Sequence, residues 1–295
     1  MNIRNANMRS RLARPLQVLS YLLVGLQAHA QTSSPNPYEL SERSKDAALR
    51  RKNAVAFIEA ERILPGDPTK TGSKLYAQTV DRGGNVTDLK SYSREGKIST
   101  HIVYSYDLEG RLTEKIDSFF SSKPDTMRTV YLYTYKETEL RPSTETVRSK
   151  LSGEKPGAWT YAYDSLGRLS EGTLSGTGVS TRRENWRFVY DASGNISEEL
   201  YKVESSATKR TFKYNAAGQI TEMINYMNDK PGSATLYTYD AQGRKRERIM
   251  QYPAGTMTSK TIYTYQANGL PEKEETYNAK GEMTSGVRYV YTYYR

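Results

Sequence analysis

The stretch Tyr104-Ser105-Tyr106-Asp107-Leu108-Glu109-Gly110-Arg111-Leu112 decides the fold. Aromatic residues at 104 and 106 give the two-residue period of a strand with one buried face. Asp107 opens a tight turn through its side-chain oxygens, and Gly110 takes a positive φ at no steric cost. A type I turn followed by a Gly bulge is a common hairpin connection. In the simplest register Tyr106 faces Leu112 and Tyr104 faces Glu114, all on one side of the sheet.

The same signature recurs as Tyr161-Ala162-Tyr163-Asp164-Ser165-Leu166-Gly167-Arg168-Leu169 and as Phe188-Val189-Tyr190-Asp191-Ala192-Ser193-Gly194-Asn195-Ile196. It returns in Phe212-Lys213-Tyr214-Asn215 with Gly218, in Tyr237-Thr238-Tyr239-Asp240 with Gly243, and in Tyr263-Thr264-Tyr265-Gln266 with Gly269. Degenerate copies start at Val80 and Tyr133, and the chain ends inside a last one at Tyr289-Val290-Tyr291-Thr292-Tyr293. The second aromatic slot falls at 80, 106, 135, 163, 190, 214, 239, 265 and 293, a period of about 27 residues. A second turn lies midway through each unit, as in Ser93-Arg94-Glu95-Gly96, Ser175-Gly176-Thr177-Gly178 and Asn278-Ala279-Lys280-Gly281. Each unit is therefore two strands. The expected fold is all-β: an antiparallel meander of about 17 strands in a curled or spiralling sheet, with a short N-terminal helix. A flat sheet would leave the tyrosine face wet, so curling places that face inside. The acids Asp88, Glu114, Glu171, Glu198, Glu222 and Glu247 are expected on it, accepting from tyrosine hydroxyls.

These repeats resemble the YD repeat of Rhs-type proteins, also found in insecticidal toxin shells and teneurins. The resemblance covers residues 76–295 and implies a long antiparallel sheet that spirals into a shell. No toxin domain and no Asp-Pro-x-Gly-type processing motif follows the last repeat, so the expectation is a small stand-alone secreted member rather than an effector.

Upstream, residues 1–30 read as a signal peptide. Arg4, Arg9, Arg11 and Arg14 precede the apolar run from Leu16 to Leu26, which ends in Ala28-His29-Ala30. The run is shorter than the roughly 20 residues a spanning helix needs. Removing those four arginines lowers the formal charge from +10 to +6. Residues 31–40 read as a flexible linker. Residues 41–75 read as a helix over 41–63 and a connection, with Val55-Ala56-Phe57-Ile58 pairing as a strand the alternative. The repeat domain follows over 76–295.

Composition narrows the chemistry. There are 25 Tyr, 2 His and no Cys. Disulfides, thiolate zinc sites and cysteine nucleophiles are excluded. Acids and bases are interspersed, which fits a solvated surface and no nucleic-acid partner. The recurrent acids serve turns rather than calcium, so no metal and no cofactor is expected. Charges on both faces argue against an outer-membrane barrel, and the mature chain is not expected to span a membrane.

One constellation stands apart. Tyr131, Trp159 and Trp186 each lie four residues before the second aromatic slot, in successive units, and point to one face. Equivalent strands two apart would space the rings by about 9–10 Å, able to stack on alternate sugars. The bland reading is that both tryptophans fill the core. The expected role is a non-enzymatic binding or structural module of the bacterial cell envelope or exterior. Its partners would be cell-surface carbohydrate or envelope proteins. The alternatives are a glycan-processing hydrolase, or an accessory fragment of a larger shell with no ligand of its own. The remaining signature residues, Tyr104 to Tyr265 and their turn glycines, are structural.

Overall fold

The computed structural model describes residues 37–120, 127–135, 144–149, 157–175, 184–203, 206–227 and 229–295. The expected signal peptide, most of the linker and the turn at 176–178 lie outside those residues. One helix, α1 (Pro37–Lys52), precedes β1 (Val55–Leu64), β2 (Asp67–Val80), β3 (Val86–Tyr92), β4 (Ile98–Tyr106), β5 (Leu112–Phe119) and β6 (Met127–Thr134). Then come β7 (Thr144–Ser149), β8 (Gly157–Tyr163), β9 (Leu169–Ser175), β10 (Glu184–Tyr190), β11 (Ile196–Val203) and β12 (Ser206–Tyr214). The last six are β13 (Ile220–Met227), β14 (Lys230–Tyr239), β15 (Lys245–Gln251), β16 (Met257–Tyr265), β17 (Pro271–Asn278) and β18 (Met283–Tyr293).

The fold is all-β and antiparallel, as the repeats require. Each strand pairs with its neighbours in the chain, as β4 does with β3 and β5. β1 adds one strand to the expected number and carries a second role. It pairs with β2 on one side and with β18 on the other, so the ladder returns to its start. Ile58 lies opposite Gln78 on one neighbour and Tyr291 on the other. The helix expected over 41–63 therefore stops at Lys52, and the strand alternative holds for its second half. The apolar and β-branched run Val55-Ala56-Phe57-Ile58 satisfies its backbone on both sides only as a strand.

The repeat turns form as read. Asp164 Oδ1 accepts from the backbone N–H of Leu166 at 3.0 Å and of Arg168 at 2.8 Å. Its Oδ2 accepts from Arg168 Nε at 2.7 Å. The Arg168 backbone N–H and guanidinium together hold the Asp164 carboxyl below the usual range. Gly167 has φ 71° and Gly110 has φ 76°.

The bulge corrects the expected facing of the acids. Tyr106 pairs with Leu112, but the extra residue Thr113 shifts the register, so Ser105 pairs with Glu114 and Tyr104 with Lys115. The same shift sets Asp88, Glu171, Glu198, Glu222 and Glu247 opposite Thr79, Ala162, Val189, Lys213 and Thr238. Those acids therefore share the face of the residues between the two aromatics, away from the tyrosines. The residue one further on turns inward: Leu89, Lys115, Gly172, Glu199, Met223, Arg248 and Glu274.

Tyrosine hydroxyls go elsewhere than to those acids. Tyr106, Tyr135, Tyr190, Tyr214, Tyr239, Tyr265 and Tyr291 donate to the carbonyls of Val86, Leu112, Leu169, Ile196, Ile220, Lys245 and Pro271 at 2.7–2.9 Å. Each acceptor opens the second strand of an earlier repeat hairpin. Arg111, Arg168 and Arg244 lay their guanidinium groups over Tyr135, Tyr190 and Tyr265, 4.3–4.9 Å from the ring centroids.

The inner face holds the core. One cluster gathers Val55, Ile58, Tyr76, Val80, Ile102, Tyr104, Leu270 and Tyr289, with Leu49 of α1 against it. A second gathers Leu169, Phe188 and Ile196. α1 lies against the repeat-turn end. Arg50 Nε donates to Gly84 O at 2.8 Å, Lys245 meets Glu42 at 3.4 Å, and Leu49 touches Gly269.

Candidate functional site

The three aromatics of the sequence row share the inner face but not an exposed surface. Trp159 is 2% exposed and sits opposite Leu174, while Gly172 nearby leaves room for the ring of Tyr161. Tyr131 lies beneath Lys115, whose Nζ is 4.0 Å from the ring centroid. Lys115 is itself 1% exposed and pairs with buried Asp117 at 3.0 Å. Trp159 thus fills the wall, and no open row of three exists. The physical reason is the inward curl, which turns the repeat's widest side chains into packing.

Trp186 differs. It is half-buried and stacks on Tyr201, with ring centroids 4.2 Å apart and planes at 29°. Tyr201 is its cross-strand partner on β11, and its hydroxyl donates to Glu184 at 2.5 Å. Beside this stack runs a chain of polar groups across four strands. Glu199 on β11 meets Arg210 on β12 at 3.4 Å. Arg210 Nε donates to Asn225 Oδ1 on β13 at 3.1 Å, and Asn225 Nδ2 donates to Ser233 Oγ on β14 at 3.0 Å. Stack and chain together line a cavity of about 310 Å³. It lies toward the turns that join β11 to β12 and β13 to β14, at the end away from α1.

Chemically the cavity offers a flat apolar floor and a line of fixed donors and acceptors. That combination suits a ligand with one apolar face and a rim of hydroxyls. Glu199 is 3% exposed, and among the described residues lining the cavity it is the acid present, already engaged by Arg210. Among the described residues no three His, Cys, Asp or Glu side chains converge as a metal site. No helix among them is long and apolar enough to cross a membrane.

Of these cavity residues the sequence row held Trp186 and not Tyr201, Glu199, Arg210, Asn225 or Ser233. The signal for Glu199 was present. Counting the bulge residue Ser197 puts position 199, not 198, opposite Phe188.

A circular run of Tyr-Asp hairpins with a tyrosine-lined inner face defines a YD-repeat shell. The Teneurin YD-shell family model matches residues 139–293, and the chain belongs to that family. Among solved structures it is similar to a porin-like protein from Bacteroides uniformis, at 13% identity and TM-score 0.36, covering 81% of this chain and 98% of that one. It is also similar to TcdB2-TccC3 lacking its hypervariable C-terminal region, at 15% identity and TM-score 0.31, covering 77% of this chain. A third is the Photorhabdus luminescens Tc holotoxin pore, at 11% identity and TM-score 0.22, covering 72% of this chain. The matched part is 14% and 16% of those two toxin chains. No curated protein matches the chain.

Proposed function

We propose that this chain is an exported YD-repeat module of the bacterial envelope or exterior that binds carbohydrate in the Trp186 cavity. The observation that carries the reading is the Trp186–Tyr201 stack set beside the polar chain Glu199–Arg210–Asn225–Ser233. A pyranose places its C–H face on an aromatic ring and its hydroxyls against such groups. Export rests on the signal-like segment at 1–30. Binding is favoured over glycan hydrolysis because hydrolysis needs two carboxylates across one bond. Among the described residues the single lining acid is tied to Arg210.

A second reading has its own support. Among the described residues, tyrosine hydroxyls at the second aromatic slot are committed to backbone carbonyls, as a purely structural shell would use them. Envelope proteins would then be the partners, through the outer face. A glycan array with the purified chain separates the two. Trp186→Ala is expected to lower retention on any bound glycan tenfold or more, about 1.4 kcal/mol or beyond. No glycan retained, or retention unchanged in the variant, overturns the carbohydrate reading.

A further inference from the structure

Taking the carbohydrate reading as its basis, the geometry points to a site for glycan chain ends: a terminal mono- or disaccharide rather than an internal stretch. Three features lead there. The first is the wall. β1 pairs with both β2 and β18, so the described strands leave no lateral edge over which a polymer could lie. The second is α1, which seats against the repeat-turn end. There a Cβ on Gly84 would stand 2.1 Å from the Ala47 carbonyl oxygen, so helix and turn are in direct contact. Asn53 Nδ2 also reaches Asn268 O at 3.5 Å. A chain entering at the cavity end meets this obstruction instead of an exit.

The third feature is size. Trp159 is 2% exposed and Tyr131 is covered by Lys115, so of the three Trp186 is the one that lines the cavity, together with Tyr201, Tyr226 and Tyr252. The cavity of about 310 Å³ sits at the small end of ligand pockets, roughly 300–1,000 Å³. A closed wall, an obstructed far end and a small cavity select a terminus.

Chito-, cello-, malto- and xylo-oligosaccharides of one to six units, titrated calorimetrically into the whole chain, test this. Each series is also presented coupled to a carrier protein through its reducing end, and separately with its non-reducing end blocked. The expected result is binding complete by two units, with less than about threefold gain from two to six. Masking one terminus then abolishes binding, and masking the other leaves it unchanged. A stepwise gain of about tenfold or more from two to six units overturns the proposal, as does equal binding of chains blocked at both ends. Failure of all four series to bind overturns it as well, by removing the carbohydrate reading beneath it. The two failures differ, because the first retains binding that Trp186→Ala abolishes and the second retains none.

Discussion

Burial pushes the phenols of Tyr106, Tyr214 and Tyr239 above their ordinary value, so each hydroxyl remains a donor across the physiological range. This is why the repeat uses Tyr rather than Phe at its second slot: the ring packs and the hydroxyl satisfies a carbonyl. Tyr214→Phe leaves Ile196 O without its donor and is expected to cost about 1–3 kcal/mol in urea unfolding. An unchanged midpoint would show that water replaces the hydroxyl. Gly218→Ala, at φ 74°, is expected to cost about 1–2 kcal/mol. Glu274 is a residue of opposite character. It is 1% exposed, accepts from Tyr289 at 2.8 Å, and burial pushes its carboxyl up to about 7 against the pull of Tyr289 and Arg248. An acid with a folded pKa above its ordinary 4.5 binds protons more tightly when folded. Stability is then greatest below that value and falls as pH rises to about 7, by about 3 kcal/mol in all. The melting temperature is therefore expected to be higher at pH 5 than at pH 8, with the difference reduced but not abolished in Glu274→Gln, since burial also raises the Asp46 carboxyl to about 6. Equal melting temperatures at the two pH values would refute this. The tyrosine and glycine positions were legible because a fixed period repeats them. Glu274 was not, since its burial follows from a bulge and from ring curvature that spacing does not encode.

At the scale of elements, two features escaped simple alternation. The post-turn bulge reverses which face each following residue occupies, so one uncounted residue exchanged Glu114 for Lys115 and Glu198 for Glu199 on the inner face. Residues 55–64, read alone, serve helix or strand equally well. Their state is decided by the unfilled ladders of β2 and β18, which are distant in sequence. The α1 seat depends on close approach at Gly84, whose φ is 85°. Gly84→Ala brings both backbone strain and contact with Ala47 O, so α1 is expected to lift from the turn end. Hydrogen exchange over 37–52 should then accelerate while exchange in β10–β13 stays protected. Uniform acceleration through the chain would mean global destabilisation instead.

For the whole molecule, closure by β1 makes the repeats interdependent. An open array of repeats unravels from its ends, as nearest-neighbour models describe. Here the first and last repeats are joined through one strand. Ile58 is fully buried between them, and Ile58→Glu is expected to break both ladders of β1. Two strand edges then become available, and light scattering should detect self-association. A variant that remains monomeric with native exchange in β2 and β18 would show that closure does not rest on this strand.

The tyrosine bonds also have a direction. Tyr214 grips the Ile196 carbonyl and Tyr239 the Ile220 carbonyl, always a group that precedes it in the chain. A hairpin leaving a ribosome or a translocation channel therefore finds its fastening point already made, and nothing in its own clasp waits for sequence still to come. Such a wall can be laid course by course from the first repeat, with the joint between β1 and β18 as the keystone set last.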